Sequence, residues 1–471
     1  MYSLPRIIQG GMGVAVSNWR LANAVSRTGQ LGVVSGTALD TVMVRRLQDG
    51  DVGGHVRRAI EHFPVPGEGA EILRRYFLPN GRAAGQSYKL LPLYKQTVTA
   101  ARQRVTMAAN FVEVWLAKAG HGGPVGINLL TKVQMPNLAS LYGAMLAGVD
   151  FVIMGAGIPR EIPGALDALA EHRPAQLRLD VEGASRDEVE LITFDPADHW
   201  QPTCSLARPR FLPVVSASSL AMTLARKSTG RVDGFIVEGP TAGGHNAPPR
   251  GELQLSERGE PVYAERDVVN LAKMRELGLP FWLAGGVGSP EGLCDALAEG
   301  AAGIQVGTLF ALCEESGIEP ALRDQVLRAA AEGGVSVFTD PRASPTGYPF
   351  KIVTFPGEDR VPEPRSRLCD LGYLRVAARG DTGRLVYRCP AEPVADYVRK
   401  GGVAEDAEGR QCLCNGLAAT VGLGQMRNGN REPPILTSGD DLPAIGRIAA
   451  AWDKVRADQV VKYLLGESRA G

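Results

Sequence analysis

The sequence predicts an α/β protein, a (β/α)8 TIM barrel with a helical insertion and a C-terminal loop-rich and helical extension. Three observations lead there. Short β-branched apolar runs alternate with Ala- and Leu-rich helical stretches through roughly the first 340 residues, the pattern of βα units around a parallel sheet. The runs end in turns rich in Gly, Ser or Asn. Eight of them follow one another in a single series, the strand count of a closed barrel. An open doubly wound sheet shares the local signals, but the unbroken series of eight favours closure.

In chain order the strand candidates are Arg6–Gln9, Gly32–Ser35, Pro124–Leu129, Phe151–Met154, Arg210–Val215, Gly234–Glu238, Phe281–Ala284 and Gly303–Val306. The helix after the seventh has its own punctuation: Ser289 as N-cap, Pro290 at the first helical position and Gly300 as the stop. Between the second and third strands, residues of about 63–123 exceed an ordinary βα connection and carry the helical-looking stretch Tyr94–Lys118. This reads as a helical insertion at the barrel mouth or flank. From about Asp340 the alternation stops and Pro, Arg, Gly and Cys take over. The expected organisation is therefore a barrel over residues 1–343 and a Cys-containing extension over 344–471 that ends in an amphipathic stretch around Leu442–Leu465.

Apolar residues make up 44% and charged residues 22% of the 471, ordinary globular usage that excludes a disordered or fibrous chain. Lys plus Arg equals Asp plus Glu at 51 each, which removes the electrostatic reason to expect nucleic acid or an anionic membrane as partner. No run approaches the ~18 apolar residues of a membrane span, and MYSLPRIIQGG lacks a charged region followed by a long apolar one. A cytoplasmic protein is expected. Seven cysteines, an odd set in a long chain, argue for reduced thiols rather than a disulfide framework.

Three constellations carry chemistry. Phe281-Trp-Leu-Ala-Gly285-Gly286-Val-Gly288 is a strand running into a turn whose missing Cβ atoms free backbone N–H groups for an anion, and Gly307-Thr308 repeats the arrangement one βα unit later. Loops after the seventh and eighth strands are where such barrels commonly hold a phosphate, so a phosphorylated cofactor is the natural ligand. Glu238-Gly-Pro-Thr-Ala-Gly243-Gly244-His245 is a strand end followed by a small-residue loop that presents one imidazole, the side chain best poised for proton transfer near neutral pH. His55, His62, His121, His172 and His199 lack that setting and read as surface or packing residues. Gly10-Gly11-Met12-Gly13 ends the first strand; Gly11-Met12-Gly13 lacks the third glycine of a G-x-G-x-x-G run and a ribose-binding acid at the proper distance, so it is not a dinucleotide fingerprint. Its glycines instead let a flat ring lie against the barrel rim.

IIQGGMG, GINLL, VEGPTAGGH and LAGGVGSPEGLCDALAEGAAGIQVGTLF, taken in order, resemble the nitronate monooxygenase family, formerly 2-nitropropane dioxygenase, with its FMN-dependent enoyl-acyl-carrier-protein reductase relatives. The resemblance covers roughly the barrel region. It implies FMN across the C-terminal mouth, with Gly285, Gly286, Gly307 and Thr308 at the phosphate. Gly10, Gly11, Met12 and Asn128 match residues lining the isoalloxazine; Ser216, Glu238, Gly243 and Gly244 match further flavin or ribityl contacts. His245 matches the catalytic histidine. The implied activity is oxidation of a nitronate or nitroalkane with dioxygen. The alternatives are an NAD(P)H-dependent enoyl reductase, for which the sequence shows no separate nicotinamide fingerprint, and a non-catalytic flavin- or metal-binding subunit. Expected partners are a small-molecule substrate and dioxygen or NAD(P)H, with a homodimer left open.

The sequence departs from the family after His245, where Asn246-Ala-Pro-Pro-Arg-Gly251 is longer and stiffer than a short Gly or Arg continuation. The tail departs further. Cys369, Cys389 followed by Pro390, and Cys412-Leu413-Cys414 are thiols of the kind that hold zinc or an iron–sulfur cluster, but their spacing is irregular and packing thiols are the preferred reading, so no metal ligand is assigned. The segment from Thr339 to Lys351 is placed to fold back across the flavin edge, with Tyr348 and Lys351 near substrate, or else is a proline-stiffened linker.

Overall fold

A computed structural model describes residues 4–185, 187–355, 367–452 and 454–467. Eight parallel strands form its centre: β1 (Ile7–Gln9), β2 (Gly32–Ser35), β3 (Val125–Leu130), β4 (Phe151–Gly155), β5 (Arg210–Val215), β6 (Phe235–Glu238), β7 (Phe281–Ala284) and β8 (Gly303–Val306). Their spatial order follows the chain, with β1 paired to β8. Closure comes at β1 and β2, where Leu31 N–H donates to the Ile7 carbonyl at 3.1 Å and Gln9 N–H to the Leu31 carbonyl at 2.9 Å. The sheet is therefore a barrel with no free edge.

Parallel strands buried on both faces read as near-continuous apolar runs, and alternate residues divide between two cores. Ile8, Val33, Phe151, Ile153, Leu212, Ile236 and Trp282 form one cluster, while Ile7, Val34, Val152 and Phe235 join the larger one that includes the surrounding helices. Trp282 is fully buried and satisfies its indole N–H on the Pro5 carbonyl at 2.8 Å.

The helices between strands include α1 (Trp19–Ser26), α2 (Leu39–Gln48), α3 (His55–Ile60), α4 (Glu68–Tyr76), α5 (Ala100–Lys118) and α6 (Asn137–Leu146). The long α5, capped by the Thr99 hydroxyl, packs against both α1 and α6. It thus occupies the barrel's own helix position between β2 and β3. The additional structure in this connection is α2 to α4 and the loop to residue 99, which differs from the sequence reading because an intrinsic helix signal carries no information about which neighbours it meets.

Then come α7 (Ile162–Ala170), α8 (Ser218–Lys227), α9 (Leu271–Arg275), α10 (Pro290–Ala298), α11 (Thr308–Ala311) and α12 (Pro320–Ala331). Beyond the barrel, β9 (Ser336–Asp340) and β10 (Phe350–Thr354) form one antiparallel hairpin, and β11 (Val376–Arg379) and β12 (Leu385–Arg388) another. They are followed by α13 (Val394–Arg399), α14 (Leu413–Thr420), α15 (Leu442–Ala451) and α16 (Ala457–Leu464). The tail packs into the barrel rather than standing beside it. Strand β11 pairs with Val181–Glu182 between β4 and β5, and α16 packs on α1, α10 and α11, filling the last place in the helical ring. Val460, Val461 and Leu464 bury there in the same core as Leu21 and Leu293. No helix among the described residues is long and apolar enough to cross a membrane.

Candidate functional site

The C-terminal ends of the strands open on a cavity that encloses ≈ 1440 Å³, mouth included. Gly10, Gly11 and Met12 line it after β1, Asn128 from β3, Glu238 with Gly243, Gly244 and His245 from β6 and its loop, Gly285 after β7, and Gly307 with Thr308 after β8. One chamber thus gathers turns that lie far apart in the chain. Two expected positions fall outside its lining. Gly286 sits behind Gly285, where a Cβ would meet Thr241 Oγ1 at 3.2 Å. Ser216 uses its carbonyl to accept Arg250 Nη2 at 3.1 Å, so the long loop after His245 is tied down over the end of β5.

The glycines are required by close approach. A Cβ on Gly11 would stand 2.3 Å from Asn128 Cβ. At Gly285 the backbone has φ +90° and a Cβ would come within 2.8 Å of the Ala242 nitrogen. A Cβ on Gly243 would meet the Gly439 nitrogen at 2.7 Å. These turns are therefore packed backbone to backbone around the chamber.

Residues 437–441 complete it, and they are what sequence reasoning missed. Gly244 N–H donates to Thr437 Oγ1 at 2.9 Å, Gly439 N–H to Thr308 Oγ1 at 2.9 Å, and Asp440 N–H to the Thr241 carbonyl at 3.0 Å. Thr437, Ser438, Gly439 and Asp441 thereby form one wall. Thr437-Ser-Gly-Asp-Asp441 is a polar turn sequence whose only warning was its composition. Lys351, expected near substrate, is buried instead, its ammonium held by Asp440 Oδ1 and Thr339 Oγ1, each at 2.9 Å. It anchors that wall.

His245 stands where the two parts meet. Its Nε2 lies 2.7 Å from the hydroxyl of the fully buried Ser344, and its ring meets Phe350 edge-on at 4.9 Å and Tyr348 at 6.4 Å. The Thr339–Lys351 segment does fold back, with Phe350 on the cavity wall. Desolvation in the chamber lowers the His245 pKa to about 4, so the imidazole is neutral at pH 7. The same cause raises Glu238 to about 8, and burial together with the Asp440 charge raises Asp441.

Flavin fits this chamber on two observations. Asn128 Oδ1 and Gln305 Oε1 are buried acceptors without a partner, and both residues line the cavity. A planar ligand bearing N–H and O–H groups would satisfy them. The close-packed turn at Gly285 and the side-chain-free turn at Gly307, beside the Thr308 hydroxyl, suit a phosphoryl group at the other end.

Comparison with known proteins follows the same line. Residues 162–340 match the family model for nitronate monooxygenase. The chain is 28% identical over 206 residues to a nitronate monooxygenase of Pseudomonas aeruginosa, covering 43% of this chain and 53% of that protein. Nitronate monooxygenase npaC of Metarhizium robertsii is 25% identical over 255 residues, 51% of this chain and 66% of that protein. FabK from Thermotoga maritima, at 17% identity, aligns over 98% of this chain and 92% of its own with a TM-score of 0.46. The barrel is of the (β/α)8 type, and its part over residues 162–340 is similar to the nitronate monooxygenase family. It matches about half the length of the first of these relatives.

Proposed function

We propose that this chain is an FMN-dependent oxidoreductase of the nitronate monooxygenase type, acting on a small nitronate or nitroalkane with dioxygen. The observation that carries the reading is the single chamber in which the glycine turns after β7 and β8 and the His245 imidazole share one wall system. When bound, FMN supplies the electron transfer. Gly285, Gly307 and Thr308 hold its phosphate, Gly10, Gly11, Met12 and Asn128 line the ring, and Glu238, Gly243 and Gly244 contact the remainder. His245 orients the substrate. In the tautomer where Nε2 accepts from the Ser344 hydroxyl, Nδ1 carries the ring proton and can donate to a nitro oxygen. A nitronate arrives already deprotonated at carbon, so a strong base is unnecessary, which suits an imidazole with a pKa of about 4; a nitroalkane would bind only once ionised.

One observation favours a second reading. Neutral His245 and a Glu238 whose pKa of about 8 keeps it protonated at pH 7 leave the chamber with little charge, a setting equally suited to an uncharged enoyl group reduced with NAD(P)H. Anaerobic reduction of the purified yellow protein separates the two. Bleaching by a nitronate alone, slowed in His245→Ala with flavin still bound, is expected; bleaching by NADH or NADPH and not by nitronate would transfer the assignment to the reductase.

A further inference from the structure

The four cysteines of the tail, spread over three stretches of sequence, converge. Cys369 precedes β11, Cys389 follows β12, and Cys412 and Cys414 flank the first residue of α14. All four line one cavity of ≈ 280 Å³, space open to solvent included, together with Pro345 and Arg375. None is in a disulfide, and the other three cysteines lie elsewhere, Cys204 and Cys294 exposed and Cys313 buried.

Packing alone does not account for how the sulfurs are treated. A sulfur serving as a small hydrophobe has little use for hydrogen-bond donors. Here Asn415 Nδ2 lies 3.4 Å from Cys412 Sγ. A donor of this kind stabilises a thiolate. Cys414 also stands in the first turn of α14, whose amide end favours negative charge. Among charged neighbours, Arg375 lines the cavity, and Lys400 is paired at 2.6 Å with the buried Glu392.

Among the described residues no three His, Cys, Asp or Glu side chains are arranged to hold one metal ion. A mononuclear zinc site draws its four sulfurs to about 2.3 Å from a single centre, whereas an iron–sulfur cluster sets its cysteines around a wider body filled with inorganic sulfide. Four cysteines lining one cavity, with no three side chains placed around a single ion among the described residues, match the second. The Cys389-Pro390 step is also one that cluster ligands use.

We infer that Cys369, Cys389, Cys412 and Cys414 ligate an iron–sulfur cluster. It would tie the chain after the barrel to the turn that supports His245. Pro345 lines the cavity, Arg410 donates to the Ser344 carbonyl at 2.6 Å, and Gln411 N–H donates to the Ala343 carbonyl at 2.9 Å. Each ligating cysteine gives up its thiol proton. The inference does not depend on the flavin reading, because iron and FMN are counted separately.

The test is the full chain, expressed with added iron and purified without oxygen, assayed for iron, acid-labile sulfide and zinc and examined by electron paramagnetic resonance after dithionite reduction. Iron and sulfide in equal amounts, about four of each for a cubane or about two for the smaller cluster, are expected. Cys412→Ser should lose them, while a Cys204→Ser, Cys294→Ser double variant retains them. Iron at background, with the four thiols free, paired as disulfides or holding zinc, overturns the inference; so does equal loss in both variants. Should Cys412→Ser fail to fold, the wild-type iron and sulfide counts decide alone.

Discussion

Replacing Gly285 by Ala tests whether the turn after β7 grips a cofactor or merely reverses the chain. The native φ of +90° is a region that costs an L side chain about 1 to 2 kcal/mol. The new Cβ would stand 2.8 Å from the Ala242 nitrogen and 2.9 Å from Thr241 Oγ1, so the loop carrying His245 must retreat by several tenths of an ångström. Overpacking of that sort adds about 1 to 3 kcal/mol. Part of the strain falls on the folded state at large and lowers its melting temperature. The part that widens the chamber weakens FMN binding, and at about 1.4 kcal/mol per decade a 10- to 100-fold rise in Kd is expected. Flavin fluorescence quenching on apo-protein measures the affinity. Gly259→Ala is the control: its φ is +81°, but a Cβ there meets nothing within 4 Å, so it should carry backbone strain without changing FMN affinity. If Gly285→Ala loses stability yet binds FMN as the wild type does, Gly285 is only a turn and the phosphate lies elsewhere.

Two further outcomes follow from the same geometry. Ser344→Ala removes the hydroxyl 2.7 Å from His245 Nε2, a hydrogen bond of about 1 to 1.5 kcal/mol, and stopped-flow reduction by substrate should slow roughly 10-fold while flavin content stays constant; an unchanged rate would detach Ser344 from the reaction. For Glu238, the folded pKa of about 8 lies above the unfolded value, so both states bind the proton at low pH and only the folded state keeps it between the two values. Stability is thus lost as pH rises toward 8, and Glu238→Gln, which has no proton to lose, should gain melting temperature relative to wild type between pH 5 and pH 8. A difference that stays flat across that range would show that Glu238 is not held protonated.

The barrel was legible because each of its strands advertises itself locally. β2, β5, β7 and β8 form where the apolar runs lie, β1, β4 and β6 shift by one residue at one end, and β3 by one residue at each end. The glycine turns and His245 were legible too, since a short side-chain-free loop after a strand is a local pattern with a local cause. What the sequence could not show is which distant pieces meet. Helix α5 announces itself as a helix, but only its packing on α1 and α6 makes it part of the ring. Ser344 reaches His245, Thr437 reaches Gly244, and the four tail cysteines reach one another across separations that leave no periodic trace. Local composition determines where strands, turns and caps form, because those depend on neighbours a few residues away. The support of the imidazole, the far wall of the chamber and the gathering of thiols depend on burial and hydrogen bonding between remote segments, and these exist only once the chain after the barrel has folded back onto it.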